Sequence, residues 1–147
     1  MESLYVENQI FVNATPLQVW EALIDPECTK QYMFGCEVIC EWKVGDPIIW
    51  KGATDGVTYV KGNLVEFEKP SIFAFTVFDP HADYPDIPQN YLTARYTLQA
   101  QDQGTLLKVT QGDYKNVAEG DKRHQDTVAQ GGWGSVLDAI KKLLEVS

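Results

Sequence analysis

The apolar residues of this chain change period once, and that change limits the folds open to it. From Cys36 to about Asp113 they recur at every second position in short runs. From Ser135 onward they recur at three- and four-residue spacing, as Val136, Leu137, Ile140, Leu143 and Leu144. The first pattern belongs to strands, whose side chains alternate across a sheet, and the second to a helix with one apolar stripe. "CEVICEWKV" sets Cys36, Val38, Cys40 and Trp42 against Glu37, Ile39, Glu41 and Lys43. Turn signals at Gly45-Asp46, Asp55-Gly56 and Asp102-Gln103-Gly104 then separate "PIIWKGA", "VTYVKGNLVEFEKP", "SIFAFTVFD" and two strands within "NYLTARYTLQAQDQGTLLKVTQGD". Turns of hairpin length join antiparallel strands, whereas parallel strands need long crossovers. A doubly wound fold is therefore disfavoured.

The front of the chain adds one strand and two helices. "LYVENQIFVNA", Leu4 to Ala14, is rich in β-formers. Thr15 is a good N-cap, Pro16 suits the first helical position, and Gln18 completes a capping box. Asp25-Pro26 stops that helix, and Asp25 can cap a second one running to about Gln31. Two stretches break the rhythm. "DPHADYPDIPQN" has three prolines and predicts a long loop from Asp79 to Asn90. "DYKNVAEGDKRHQDTVAQ" runs polar into the last helix, whose start the pattern leaves open. One antiparallel sheet must bury its apolar face, and the last helix carries the largest apolar stripe. A curved sheet wrapped around that helix satisfies both, with room for a cavity between them.

These segments resemble a known family. "ATPLQVWEALIDPE" looks like the opening helix signature of the START-like (SRPBCC) superfamily, the polyketide-cyclase and pollen-allergen relatives. "GNLVEFEKPSIFAFT" resembles its central hairpin, "QDQGTLLKVTQGDY" a later one, and "GGWGSVLDAIKKLLE" its G-W-x-x-x-L-x-x-L-K ending. The branch most resembled is that of the activator of heat-shock-protein ATPase homologues. The resemblance covers Leu4 to Glu145 and implies one START-like domain over residues 1–147. Its fold would be α+β, a helix-grip with an antiparallel sheet of six to seven strands curved around a long C-terminal helix, and two short helices after the first strand. Gln111 stands where many relatives carry histidine and Val77 where many carry tryptophan, so the pocket's polarity and size differ from theirs. The superfamily has no universal catalytic set, and fold alone assigns no activity.

Composition narrows the function classes. A net charge of −9 argues against nucleic acid and against anionic lipid surfaces. No apolar run approaches the roughly 20 residues of a membrane helix, and the start lacks a basic region followed by an apolar one. The cytoplasm is the expected compartment. Cys28, Cys36 and Cys40 make an odd count, expected to be free and mostly buried. No phosphate loop, metalloprotease or nucleophile-elbow motif is present. His81 and His124 lie on polar segments far apart, and His81, Asp83 and Asp86 read as a solvated loop. No catalytic residue, cofactor or metal is expected, and an enzymatic role lacks a visible acid–base pair.

The aromatic residues are the informative class. Alternation places Trp42, Trp50, Phe73, Phe75 and Tyr96 on the inward face of the sheet, with Trp133 and Leu137 on the last helix facing them. Together these seven are the expected lining of a ligand cavity. Gly131, Gly132 and Gly134 surround Trp133. They either form a bend or late helix start, or remove volume where the helix meets the sheet. Two function classes follow: a non-catalytic binding module holding a small hydrophobic molecule between sheet and helix, or a co-chaperone-like domain that contacts a protein partner, its acidic surface favouring a basic one.

Overall fold

Thr15 starts the first helix as its side chain suggests. In the computed structural model, which describes residues 3–145, Gln18 N donates to Thr15 Oγ1 at 3.2 Å and Thr15 N to Gln18 Oε1 at 2.8 Å. This capping box opens α1 (Pro16–Ile24) directly after β1 (Val6–Val12). Asp25 then ends α1 and caps α2 (Pro26–Tyr32), accepting from Glu27 N at 2.9 Å. Losing a cap hydroxyl typically costs about 1 kcal/mol. Thr15→Ala is expected to lower unfolding stability by that amount in urea, and an unchanged midpoint would remove the cap's contribution.

Six strands follow: β2 (Cys36–Cys40), β3 (Pro47–Gly52), β4 (Thr58–Glu68), β5 (Ile72–Val77), β6 (Leu92–Gln101) and β7 (Gly104–Gly112), with one 3-10 turn at Pro88–Asn90 in the long loop between β5 and β6. The sheet is seven-stranded, in the order β1-β7-β6-β5-β4-β3-β2, and every pairing is antiparallel. Consecutive hairpins build it from β2 to β7, and β1 closes onto β7 after the two helices. The chain ends in α3 (Gly120–Ala129) and α4 (Gly134–Glu145). The sheet curves around α4, which packs on β1, α2 and α1. The core between them buries Trp20, Leu23, Phe73, Tyr96, Leu107, Leu137 and Ile140.

Three details depart from the sequence reading. β2 stops at Cys40, and Trp42 has φ +61, a left-handed backbone that takes it out of the strand's alternation. Its ring stacks on Phe67 at 5.3 Å. Secondly, the polar stretch before α4 is itself a helix. Of α3 only Gly120 is buried, so no apolar stripe announces it. It is held instead by polar contacts, with His124 Nε2 3.1 Å from Tyr5 O and a Lys122–Asp126 ion pair one turn apart. Thirdly, the thiols are free, but only Cys36 is buried and Cys28 and Cys40 are partly exposed.

The glycines make the corner between α3 and α4. Gly131 has φ +90 and Gly132 φ +59, a conformation side-chain-bearing residues rarely adopt. Gly132 also sits against β1, where a Cβ would meet Asn8 Oδ1 at 2.5 Å and Val6 Cγ1 at 2.9 Å. Asn8 Oδ1 accepts from Trp133 N at 3.0 Å, fixing the corner to the strand. The bend and the close approach are thus one device. Gly134 has open space around it.

Both outer strands are partly covered. Along β1, Lys141 Nζ donates to Phe11 O at 2.8 Å, and Asn13 N donates to Glu145 Oε2 at 2.7 Å. Beside β2, Val38 N donates to Thr29 Oγ1 of α2 at 3.0 Å.

Candidate functional site

The inner face of the sheet is longer than the helices that cover it, and the uncovered part forms a cavity of about 830 Å³. β3 supplies Trp50, β5 supplies Phe75 and Val77, and β6 supplies Leu92. The α3–α4 corner supplies Gly132 and Trp133 and α4 supplies Val136, while Met33 and Phe34 come from the α2–β2 connection and Cys36 from the start of β2. Most of this wall is apolar. A volume of this size falls within the roughly 300–1,000 Å³ typical of small-molecule sites.

One corner is polar. Gln111 of β7, Tyr114, and Arg123 and Thr127 of α3 meet there. Gln111 Nε2 donates to Tyr114 OH at 2.7 Å, which lies 3.4 Å from Thr127 Oγ1. Arg123 sits over the Tyr84 ring, 4.3 Å from its centroid, and its Nη1 donates to Ala118 O at 3.2 Å. Asp55, Asp79 and Asp126 stand at the rim. The Tyr59 hydroxyl donates to Asp55 and, with Val57 N, lowers its carboxyl pKa.

The long loop lies beside the mouth and contributes Asp79 to the lining, with Phe78 just ahead of it. It is pinned rather than loose. Asp86 pairs with Lys61 and accepts from Tyr91 OH at 2.6 Å, which holds its carboxyl below the ordinary range. Asn90 donates to Pro85 O at 2.8 Å and accepts from Ala118 N at 2.9 Å.

Of the seven residues expected to line the cavity, Trp50, Phe75 and Trp133 do so. Trp42, Phe73, Tyr96 and Leu137 lie outside the lining: Phe73, Tyr96 and Leu137 belong to the packed core and Trp42 packs against it. Phe73 stacks on Tyr96 at 5.8 Å, and Tyr96 meets Trp133 edge-on at 5.8 Å, directly behind the wall. Burial pushes the Tyr96 phenol pKa well above its usual range. Its hydroxyl and the Trp50 indole nitrogen have no hydrogen-bond partner among the described residues. The polar corner as a group was not anticipated. Gln111 alone stood out, through the family resemblance, and it is also in phase with the buried Leu107 and Val109 on β7. Arg123 and Thr127 did not, since their helix has no apolar period.

A curved antiparallel sheet gripping a C-terminal helix, with a cavity between them, is the architecture of the START-like superfamily. Within it, the chain belongs to the family described as activator of Hsp90 ATPase homolog 1-like protein, which matches residues 13–145. The solution structure of ChR145 from Cytophaga hutchinsonii is similar, with 35% sequence identity over 99% of this chain and 97% of that one, at a TM-score of 0.74. The Aha1 dimer from Colwellia psychrerythraea shares the fold at 14% identity, covering 97% of each chain with a TM-score of 0.72. So does an HSP90 activator from Plasmodium falciparum, at 16% identity over 86% of this chain and 89% of that one, with a TM-score of 0.62. A search of curated proteins gave no match. Among the described residues, no helix is long and apolar enough to cross a membrane.

Proposed function

We propose that this protein is a non-catalytic binding module that holds a small hydrophobic molecule in the cavity between the sheet and the α3–α4 corner. The observation that carries this is an apolar-walled space of about 830 Å³ beside a fully packed core. A core of this size does not need such a space to be stable, and close packing is the rule in interiors. Trp50, Phe75 and Trp133 are the contact residues, and the cytoplasm is the site of action. Tryptophan emission reports on it. Trp50 and Trp133 line the cavity, whereas Trp20 and Trp42 do not. Titration with fatty acids, sterols and aromatic metabolites is expected to shift emission in wild type and in Trp20→Phe and Trp42→Phe. The shift should fall when Trp50 or Trp133 is replaced by Phe. A protein that responds to none of these classes would end the reading.

A second reading is a co-chaperone-like domain acting on a heat-shock ATPase. Family membership favours it, as does apolar surface at Phe34, 78% exposed, and at Val44, 61% exposed. Stimulation of an Hsp90 ATPase by the purified chain tests it, and absence of both binding and stimulation removes it.

A further inference from the structure

The polar corner deepens the binding reading, on which the following rests, by selecting a class of ligand. Along Gln111, Tyr114 and Thr127 the donors are consumed in one direction. Gln111 Nε2 donates to Tyr114 OH, Tyr114 OH to Thr127 Oγ1, and Thr127 Oγ1 to the carbonyl oxygen of Arg123 at 2.9 Å. Each hydroxyl hydrogen is spent within the protein. Gln111 is the exception. Its Oε1 and its second Nε2 hydrogen have no protein partner among the described residues, and the side chain is only half-buried in the cavity wall. A carboxamide so placed offers one acceptor and one donor side by side.

The charged groups of the lining do not compete for that role. Arg123 is held by the Tyr84 ring and Ala118 O. Asp126 is paired with Lys122, Asp55 accepts from Tyr59, and Asp79 accepts from His81 N. Three carboxylates against one guanidinium also leave the lining net negative, which opposes an anionic head group.

The geometry points to Gln111 as the residue that reads the ligand: the cavity takes an uncharged, largely apolar molecule whose one polar group both donates and accepts, a carboxamide or a hydroxyl, bonded to the free edge of the Gln111 side chain. A site built to hydrogen-bond such a group rejects an analogue that lacks it, because its own polar atoms are then left unpaired.

The test uses three probes of one shape, naphthalene, 2-naphthamide and 2-naphthoate, with binding followed by calorimetry and by indole N–H shifts in the intact protein. Wild type is expected to bind the amide roughly tenfold more tightly than naphthalene, the effect of one to two net hydrogen bonds. The naphthoate should bind more weakly than the amide. Gln111→Leu and Gln111→Met should bind naphthalene more tightly than wild type does, since no polar edge is left unpaired, and should lose the preference for the amide. Thermal unfolding of both variants controls for folding, and the wild-type ranking stands as a test even if a variant fails to fold. Equal binding of the three probes, tightest binding of the naphthoate, or a preference surviving both substitutions overturns the assignment of Gln111 while leaving the cavity reading intact. Failure of all three probes to bind wild type overturns this inference, and the tryptophan titration with fatty acids, sterols and aromatic metabolites then decides the cavity reading separately.

Discussion

Phe73→Ala is expected to cost about 3–5 kcal/mol of unfolding stability, the range for emptying a buried aromatic site. The ring is fully buried and lies within 4.9 to 6.2 Å of five others, those of Trp20, Trp42, Phe67, Phe75 and Tyr96. These rings come from α1, the β2–β3 connection, β4, β5 and β6, so they cannot all move to fill the gap. Typical domains are stable by only about 5–15 kcal/mol, so the loss should show as a large fall in the denaturation midpoint. Phe73→Leu, which keeps most of the volume, should cost less than half as much. A small effect from Phe73→Ala would mean that the aromatic cluster is loosely packed and that the cavity extends into it.

Gly132→Leu is the second large effect. The substitution must place a side chain at φ +59 and drive a Cβ into Asn8 and Val6 of β1. Left-handed strain and overpacking together suggest a loss of roughly 2–4 kcal/mol. Gly134→Ala, where nothing lies near the added carbon, should be neutral or slightly stabilising, since helix propensity favours alanine. Equal effects at the two positions in chemical denaturation would show that the corner is not strained. Gly132 also lines the cavity, so any loss of ligand binding in the leucine variant has to be read beside its stability.

The order of elements was legible because alternation and caps agreed. Thr15, Pro16 and Gln18 mark α1, and the segments read as strands pair antiparallel, as hairpin-length turns require. Two things escaped. α3 buries too little to leave a periodic trace, so its helix is visible only once Tyr5, Ala118 and the ion pair are placed around it. The division of the inner face into core and cavity was the other. Alternation says which way a side chain points and not what covers it. Phe73 and Phe75 are two residues apart on one strand and face the same way, yet only Phe75 reaches the cavity wall. What separates them is their cover: Phe73 lies under Trp20 of α1 and beside Trp42 and Phe67, whereas Phe75 lies beside Trp50 in the cavity wall. Trp42 leaves the strand at its left-handed backbone, yet its ring still packs on the core against Phe67 and Phe73, away from the cavity.

The covered borders of the sheet carry a consequence for self-recognition. An unpaired strand border is a template on which another chain can align its backbone, the first step toward amyloid-like growth. Here the border beside β2 is occupied by a threonine hydroxyl from α2, and that of β1 is met at its far end by Lys141 and Glu145 of α4. A foreign strand aligning at Val38 of β2 or at the Phe11 end of β1 would have to displace a side chain of a helix that also forms part of the core. At those points the main chain is already engaged, and alignment there is disfavoured.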